Sequence, residues 1–174
     1  MINKERQNFH IKKATESDVP LILEFINKLA VYEKMEDEVE ATEELLHRYI
    51  FGDDKLTEVV LAYEGETPVG FALYFHNFST FLARPGLYLE DLFVLEAYRG
   101  HGYGKALLAH LAGIAFERDC GRFEWSVLNW NKPAIDFYES LGARPMDGWT
   151  VYRLTGEELK EAATINSGID LKNS

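Results

Sequence analysis

Cysteine is almost absent. The 174-residue chain holds one, Cys120, which excludes an internal disulfide and any multi-cysteine metal cluster. Its place between an apolar helical run and an apolar strand run favours a buried small side chain over a catalytic thiol. Basic residues are also scarce: 18 Lys and Arg face 29 Asp and Glu, for a formal charge of −11. Nucleic acid is therefore not an expected partner, because phosphate backbones need basic faces. The surplus acid suits a cationic substrate, and equally solubility alone. No run of about 20 apolar residues exists, so no membrane-spanning helix and no membrane partner are expected. The start, "MINKERQNFH", lacks the apolar centre of a signal peptide. With so little cysteine, a cytoplasmic location is expected. Histidines at 10, 47, 76, 101 and 110 show no metal-ligand spacing, so no metal is expected. There is no G-x-S-x-G elbow for a serine hydrolase, and no repeat, linker or low-complexity block.

What remains is an ordinary globular composition, with 47% hydrophobic and 27% charged residues, and a length that suits one domain over 1–174. Such a chain can bury a sizeable core without disulfides or metals. "FHIKKA" alternates and reads as a first strand. "TESDVPLILEFINKLAVYEK" reads as a helix capped by Thr15 or Ser17. Thr42 is a plausible cap for the helix in "TEELLHRYIF", with Glu43 and Glu44 suiting its positive end. "TEVVLAYEGETPVGFALYFHNF" reads as two strands joined by a turn at Glu64 to Pro68. "GLYLEDLFVL" is a further strand, residues 102–118 a helix, and "RFEWSVLN" another strand. "NKPAIDFYESLGA" is a helix capped by Asn131, with Pro133 in its first turn and Gly142 stopping it. "WTVYRLT" is expected as the last strand, a short helix as following from Gly156, and the tail "NSGIDLKNS" as frayed. The pattern is mixed α/β, with an antiparallel start and a strand–helix–strand–helix finish.

Three stretches carry chemistry. The first is "YRGHGYGKALL", a glycine-rich turn between a strand and a helix. It fails as a P-loop, because Arg99 stands where the first glycine belongs and Ala106 where a hydroxyl belongs. It fails as a dinucleotide fingerprint at Lys105. Arg99-x-x-Gly102-x-Gly104 at a helix start still favours an anion. First-turn amides are unpaired, glycines let a ligand approach, and Arg99 and Lys105 add positive charge. The alternative is a turn that only reverses the chain. The second stretch is "LYLEDLFVL". Strict alternation puts Leu87, Leu89, Asp91, Phe93 and Leu95 on one face and Tyr88, Glu90, Leu92 and Val94 on the other. Two mid-strand carboxylates are costly if both are buried unpaired. Asp91 is expected to be structural and paired with a basic group, Glu90 to face a cleft. The third is the helix stripe Ala134, Phe137, Tyr138, Leu141, in which Tyr138 reads as core by periodicity alone.

R-x-x-G-x-G between a strand and a helix resembles the acetyl-CoA loop of the GNAT acetyltransferases. "FINKLAVYEKMEDEV", "LYLEDLFVLEAYRGHGYGKALL", "NWNKPAIDFYESLGA" and "GWTVYRL", in that family's order, are similar to the spermidine/spermine and thialysine branch. The likeness spans about residues 8 to 160. It implies a central mixed, mostly antiparallel, twisted sheet with splayed middle strands, flanked by helices. It implies acetyl-CoA as acetyl donor, a small cationic amine as acceptor, direct transfer in a ternary complex, and a homodimer.

The resemblance also implies roles. Leu92, Phe93 and Val94 would contact the cofactor through their backbone, with an N–H near Val94 as oxyanion donor. Arg99, Gly100, His101, Gly102, Tyr103, Gly104 and Lys105 would hold its pyrophosphate. Asn131, Pro133, Ala134 and Tyr138 would complete the cofactor contacts, though a plain helix cap accounts for Asn131 as well. Tyr138 would be the general acid toward the departing thiolate, and Glu90 would receive the amine's proton. Tyr32, Glu33, Glu90 and Asp147 would face the substrate, a solvated helix end being the alternative for Glu33. Thr80 stands where the spermidine/spermine enzymes carry an acid, and the segment before Gly148 is shorter and keeps only Asp147. Both departures favour a shorter amine, such as a lysine analogue or a diamine, over a long polyamine. Two other readings stand: a protein or peptide N-acetyltransferase, and a non-catalytic CoA-binding regulator, against which Tyr138 and Glu90 both argue.

Overall fold

A computed structural model describes residues 8–165. The expected frayed tail, 166–174, lies outside the described residues. The described chain divides into two compact units, up to Ser126 and from Val127 onward, which are taken one at a time.

The first unit is built on a five-stranded sheet in the order β1-β2-β3-β4-β5. Its strands are β1 (Phe9–Lys13), β2 (Glu58–Glu64), β3 (Thr67–Ser79), β4 (Arg84–Val94) and β5 (Arg122–Trp125). β1 to β4 pair antiparallel, and β5 joins β4 in parallel. A parallel neighbour needs a crossover, and α3 (Tyr103–Glu117) supplies it. The mixed α/β architecture is the one expected.

Each face of the sheet is covered because its side chains are apolar. On one face lie α1 (Val19–Glu33) and α2 (Glu43–Ile50). There Ile22, Phe25, Leu29 and Ile50 pack with Val59, Leu61, Phe71 and Phe93 in one core. The rings of Phe25 and Phe71 stack, with centroids 5.5 Å apart. Burying side chains of this size stabilises by roughly 1.5–3 kcal/mol each, which makes this layer the main anchor of α1. α3 packs against β3, β4 and β5, and its Leu107 and Leu111 have no exposed surface.

The helix ends follow local chemistry. Before α1, the Asp18 carboxylate accepts from the Thr15 N–H and hydroxyl, both at 2.8 Å. The helix proper begins only at Val19, later than the sequence reading placed it, because residues 16–18 form a 3₁₀ turn. Thr42 caps α2 as expected, its hydroxyl accepting from the Leu45 N–H at 3.2 Å.

The second unit carries α4 (Lys132–Ser140) and α5 (Gly156–Thr164). The Asn131 side chain accepts from the Ala134 N–H, Pro133 lies in the first turn, and Gly142 follows in the left-handed region at φ 88°. All three were legible from sequence. "WTVYRLT" was expected as a strand and is not one. Residues 149–155 join no ladder, and Trp149, Val151, Tyr152 and Leu154 are exposed. Alternation marks a segment that could be a strand, but a strand exists only once another strand completes its hydrogen bonds.

Candidate active site

The end of β4 is the point around which the first unit's candidate residues gather. Pairing with β5 runs from Gly86 opposite Arg122 to Leu89 opposite Trp125. β4 then continues from Glu90 to Val94 with no β5 partner. On its other side, β3 pairs as far as Gly70 opposite Val94. The Leu95 N–H donates to the Val69 carbonyl at 2.9 Å. Backbone groups alternate sides along a strand, so the amides and carbonyls of Leu92 and Val94 point away from β3. They lie where the resemblance implies backbone contacts to a cofactor.

A β-bulge sets the side chains here. Leu73 stands opposite Asp91 and Tyr74 opposite Leu89, leaving Glu90 as an extra residue of β4. This corrects the strict alternation read from the sequence. Directly paired residues share a face, so Leu89 follows Tyr74 while Asp91 follows Leu73 and Phe93 follows Phe71. Phe93 accordingly lies in the α1-side core and Leu89 does not. Bulges of this kind re-aim side chains beside active sites. Glu90 is exposed and Asp91 half-buried.

Asp91 is the residue the sequence reading assigned to the wrong company. Among the described residues, no basic group offsets its charge. Burial first, then the charges of Glu90 and Glu33, push its carboxyl up to about 6. Burial likewise raises Glu33, at the end of α1. Glu33 and Glu90 thus both act on Asp91, and among the described residues no cation lowers its carboxyl. The sequence signal was present, two adjacent acids in an apolar strand, but the bulge that separates them leaves no residue mark. Among the described residues, no three His, Cys, Asp or Glu side chains are grouped so as to hold a metal.

The glycine turn leads from β4 into α3. Gly100 and Gly102 have φ of 80° and 87°, a region that side chains with a Cβ disfavour. Gly102 is also the N-cap of α3 and offers no side-chain cap, so the first-turn amides are not satisfied by one. Lys105 is exposed in that turn, and His101 is exposed with its ring 3.1 Å from the Arg99 carbonyl. Tyr103 behaves differently: its ring is buried, stacks on Phe9 at 4.3 Å and hydrogen-bonds Glu64. Its ring also lies against that of His101 in the turn, with centroids 5.7 Å apart. Arg99 reaches back, its Nε donating to the Val94 carbonyl at 3.0 Å and its guanidinium lying 4.4 Å from the centre of the Tyr32 ring.

Of the expected substrate residues, Tyr32 and Glu33 adjoin in α1 and are half-buried. In the second unit, Ala134 and Tyr138 are four residues apart on α4 and half-buried, while Pro133 is exposed. Tyr138 lies beside Phe137, with ring centroids 5.4 Å apart. Asp147 is exposed. Thr80 lies in the turn between β3 and β4. Cys120 is half-buried, and burial pushes its thiol up, away from a reactive thiolate.

A mixed sheet whose fourth and fifth strands stop pairing half-way, with a glycine turn at the start of the crossover helix, is the arrangement that the resemblance of the sequence to the GNAT acetyltransferases implies. The acetyltransferase (GNAT) family profile matches residues 22–143, and the chain belongs to that family. It is 37% identical over 164 residues to a thialysine N-epsilon-acetyltransferase of Sus scrofa, covering 88% of this chain and 96% of the relative. It is 44% identical over 116 residues to an L-ornithine N5-acetyltransferase of Arabidopsis thaliana, covering 67% of this chain and 48% of the relative. Among solved structures, an integron cassette protein from the mobile metagenome of V. cholerae superposes with a TM-score of 0.76 at 31% identity, covering 90% of this chain and 98% of the other. The protein is thus a GNAT acetyltransferase, similar to the enzymes of the diamine and thialysine branch.

Proposed function

We propose that the protein transfers an acetyl group from acetyl-CoA to the primary amine of a short cationic molecule, such as a lysine analogue, ornithine or a diamine. The observation that carries this reading is the trio Glu33, Glu90 and Asp91 beside the stretch of β4, including Leu92 and Val94, that has no β5 partner. Neighbouring carboxylates that raise one another suit an ammonium group, and their net charge would hold a small amine. Side-chain amines of short amino acids are also what the two named relatives act on.

The residues present fit acetyl-CoA. The left-handed glycines leave the turn without Cβ atoms at Gly100 and Gly102, and α3 begins without a side-chain cap. Gly100 to Lys105 would hold the pyrophosphate there, and the Leu92 to Val94 backbone the arm. When bound, acetyl-CoA supplies the acetyl group as a thioester.

The chain's own groups would then act on protons and charge. An ammonium cannot attack, so it must lose a proton near its carboxylates. Glu90 would receive that proton, and Asp91 is a second acceptor suited to the task. A carboxyl raised to about 6 is a better base than an ordinary one and is still ionised at neutral pH. The Val94 N–H would donate to the carbonyl oxygen as negative charge develops there. Tyr138 would give its proton to the departing sulfur, a role supported by the family resemblance. Direct transfer in a ternary complex and a homodimer rest on the same resemblance, and a cytoplasmic location on the scarcity of cysteine.

The test is thiol release from acetyl-CoA with thialysine, lysine, ornithine, putrescine, spermidine, spermine and basic peptides. The short amines are expected to give the highest kcat/KM. Release no greater than background with every amine would sink the reading. Preference for peptides would replace it with a protein acetyltransferase.

A further inference from the structure

The arginine of the glycine turn would be read from sequence as a phosphate ligand. The geometry gives its side chain other work. The Nε of Arg99 donates to the Val94 carbonyl at 3.0 Å. Its guanidinium carbon lies 4.4 Å from the ring centre of Tyr32 and 5.5 Å from that of Phe93. One side chain therefore joins three elements: the end of α1, the end of β4 and the turn before α3. Arginine suits this because its plane can stack on rings while its edge donates, which an ammonium cannot do.

We propose that Arg99 is a positioning residue that holds the amine side of the site, Tyr32 and Glu33 at the end of α1, in register with the backbone of Val94. This rests on the acetyltransferase reading above. The Val94 carbonyl and amide point to the same side of β4, so a charge-assisted bond to the carbonyl also fixes the direction of the amide. Tyr32 and Glu33 are adjacent, so a ring held under the guanidinium limits where the Glu33 carboxylate can swing. The glycines and the α3 amides need no arginine to hold an anion. Phe25 and Phe93 already pack α1 against β4; Arg99 adds a directional tie at the end of α1, between the Tyr32 ring and the Val94 carbonyl.

The two roles predict opposite kinetics. As a positioning residue, Arg99→Gln raises KM for the amine and lowers kcat, with kcat/KM for the amine down about 10-fold or more, a size typical of misplaced reacting groups. The dissociation constant for CoA, measured by calorimetry, changes by less than about 3-fold. Arg99→Lys keeps the charge but not the stacked fork, and behaves like Arg99→Gln. As a pyrophosphate ligand, Arg99→Gln would instead weaken CoA about 10-fold in a salt-dependent way, leave the amine KM unchanged, and be rescued by lysine; that result overturns the proposal. A double-mutant cycle adds a second check. Tyr32→Leu and Arg99→Gln should be non-additive in both amine kcat/KM and urea midpoint, and additive losses overturn the coupling. Failure of the parent reading looks different: the wild-type protein is then silent with every amine.

Discussion

Glu33, at the end of α1, and Asp91, in β4, are close enough that the charge of one raises the carboxyl of the other. Burial adds the larger part, and together with Glu90 they bring Asp91 up to about 6. A raised carboxyl costs stability once it ionises. Below about pH 4 it is protonated in both states and costs nothing. Between about pH 4 and 6 the unfolded chain ionises first, so the folded state loses ground as pH rises. The loss is complete above pH 6. About two units correspond to about 3 kcal/mol, and partial exposure reduces this to about 1–2 kcal/mol. Asp91→Asn is therefore expected to be more stable than wild type by about that amount at pH 8, with the gain shrinking toward pH 4.5. Urea unfolding at the two pH values checks it, and an equal difference at both would refute the buried-charge account.

The same pair predicts an effect of substrate. A bound ammonium neutralises the cluster and returns part of the lost stability. Putrescine or lysine should raise the melting temperature of the wild type more than that of Asp91→Asn. Equal shifts would mean that the amine binds away from Asp91.

The elements that periodicity marks were legible in the sequence. The caps Thr42 and Asn131, the turn near Gly65 and the crossover helix all rest on local chemistry that short segments carry with them. The glycine turn was legible too, since positive φ at Gly100 and Gly102 selects the residue. The bulge at Glu90 was not, because it arises from register between β3 and β4 rather than from any residue preference. That register puts Asp91 among acids rather than beside a base. The Arg99 contact was likewise hidden, as its partners Tyr32 and Val94 are distant in sequence. "WTVYRLT" failed for the complementary reason: its alternation is local, but its partner would not be.

A second charge pair works in the opposite direction. Arg118, just past α3, donates to both oxygens of Glu58 in β2, at 2.5 and 3.2 Å, and Lys13 lies 3.1 Å away. The Arg118 hydrogen bond is the main cause that holds the Glu58 carboxyl down to about 2, against some desolvation. Its stabilisation is present above about pH 4.5 and is lost as pH falls toward 2. The Glu58 side chain is 15% exposed but that of Arg118 is 39% exposed, so solvent screening leaves about 1–2 kcal/mol. Glu58→Gln is expected to lose that much at pH 7 and almost nothing near pH 2.5. Chemical denaturation across this range measures it; a loss independent of pH would mean packing rather than charge.

Tyr138 and Glu90 are separable by what they do to the pH profile. Tyr138→Phe should lower kcat by about 10-fold or more while leaving the amine KM little changed, because the proton it gives is needed only as sulfur departs. Glu90→Gln should move the acidic limb of kcat/KM to higher pH, since the free amine must then form in solution. If Glu90→Gln keeps the wild-type profile and Asp91→Asn moves it, Asp91 is the acceptor of the proton. If Tyr138→Phe turns over at the wild-type rate, the tyrosine belongs to the α4 stripe alone.

Gly102 isolates the cofactor side. It sits at φ 87° as the N-cap of α3, where an L-residue costs about 1–2 kcal/mol in strain. Gly102→Ala must either accept that strain or rotate the peptide that starts the helix. Rotation turns the first amides of α3 away from an anion held there. The expected result is a several-fold rise in KM for acetyl-CoA and in the CoA dissociation constant. The amine KM at saturating acetyl-CoA should stay near wild type, because Tyr32, Glu33 and Asp91 do not depend on that peptide. Gly113, mid-helix in α3 with open space where a Cβ would stand, provides the control. Gly113→Ala should leave both constants unchanged and stabilise the helix by about 0.5–1 kcal/mol. A Gly102→Ala variant that binds CoA as tightly as wild type would show that the first turn of α3 does not hold the phosphates.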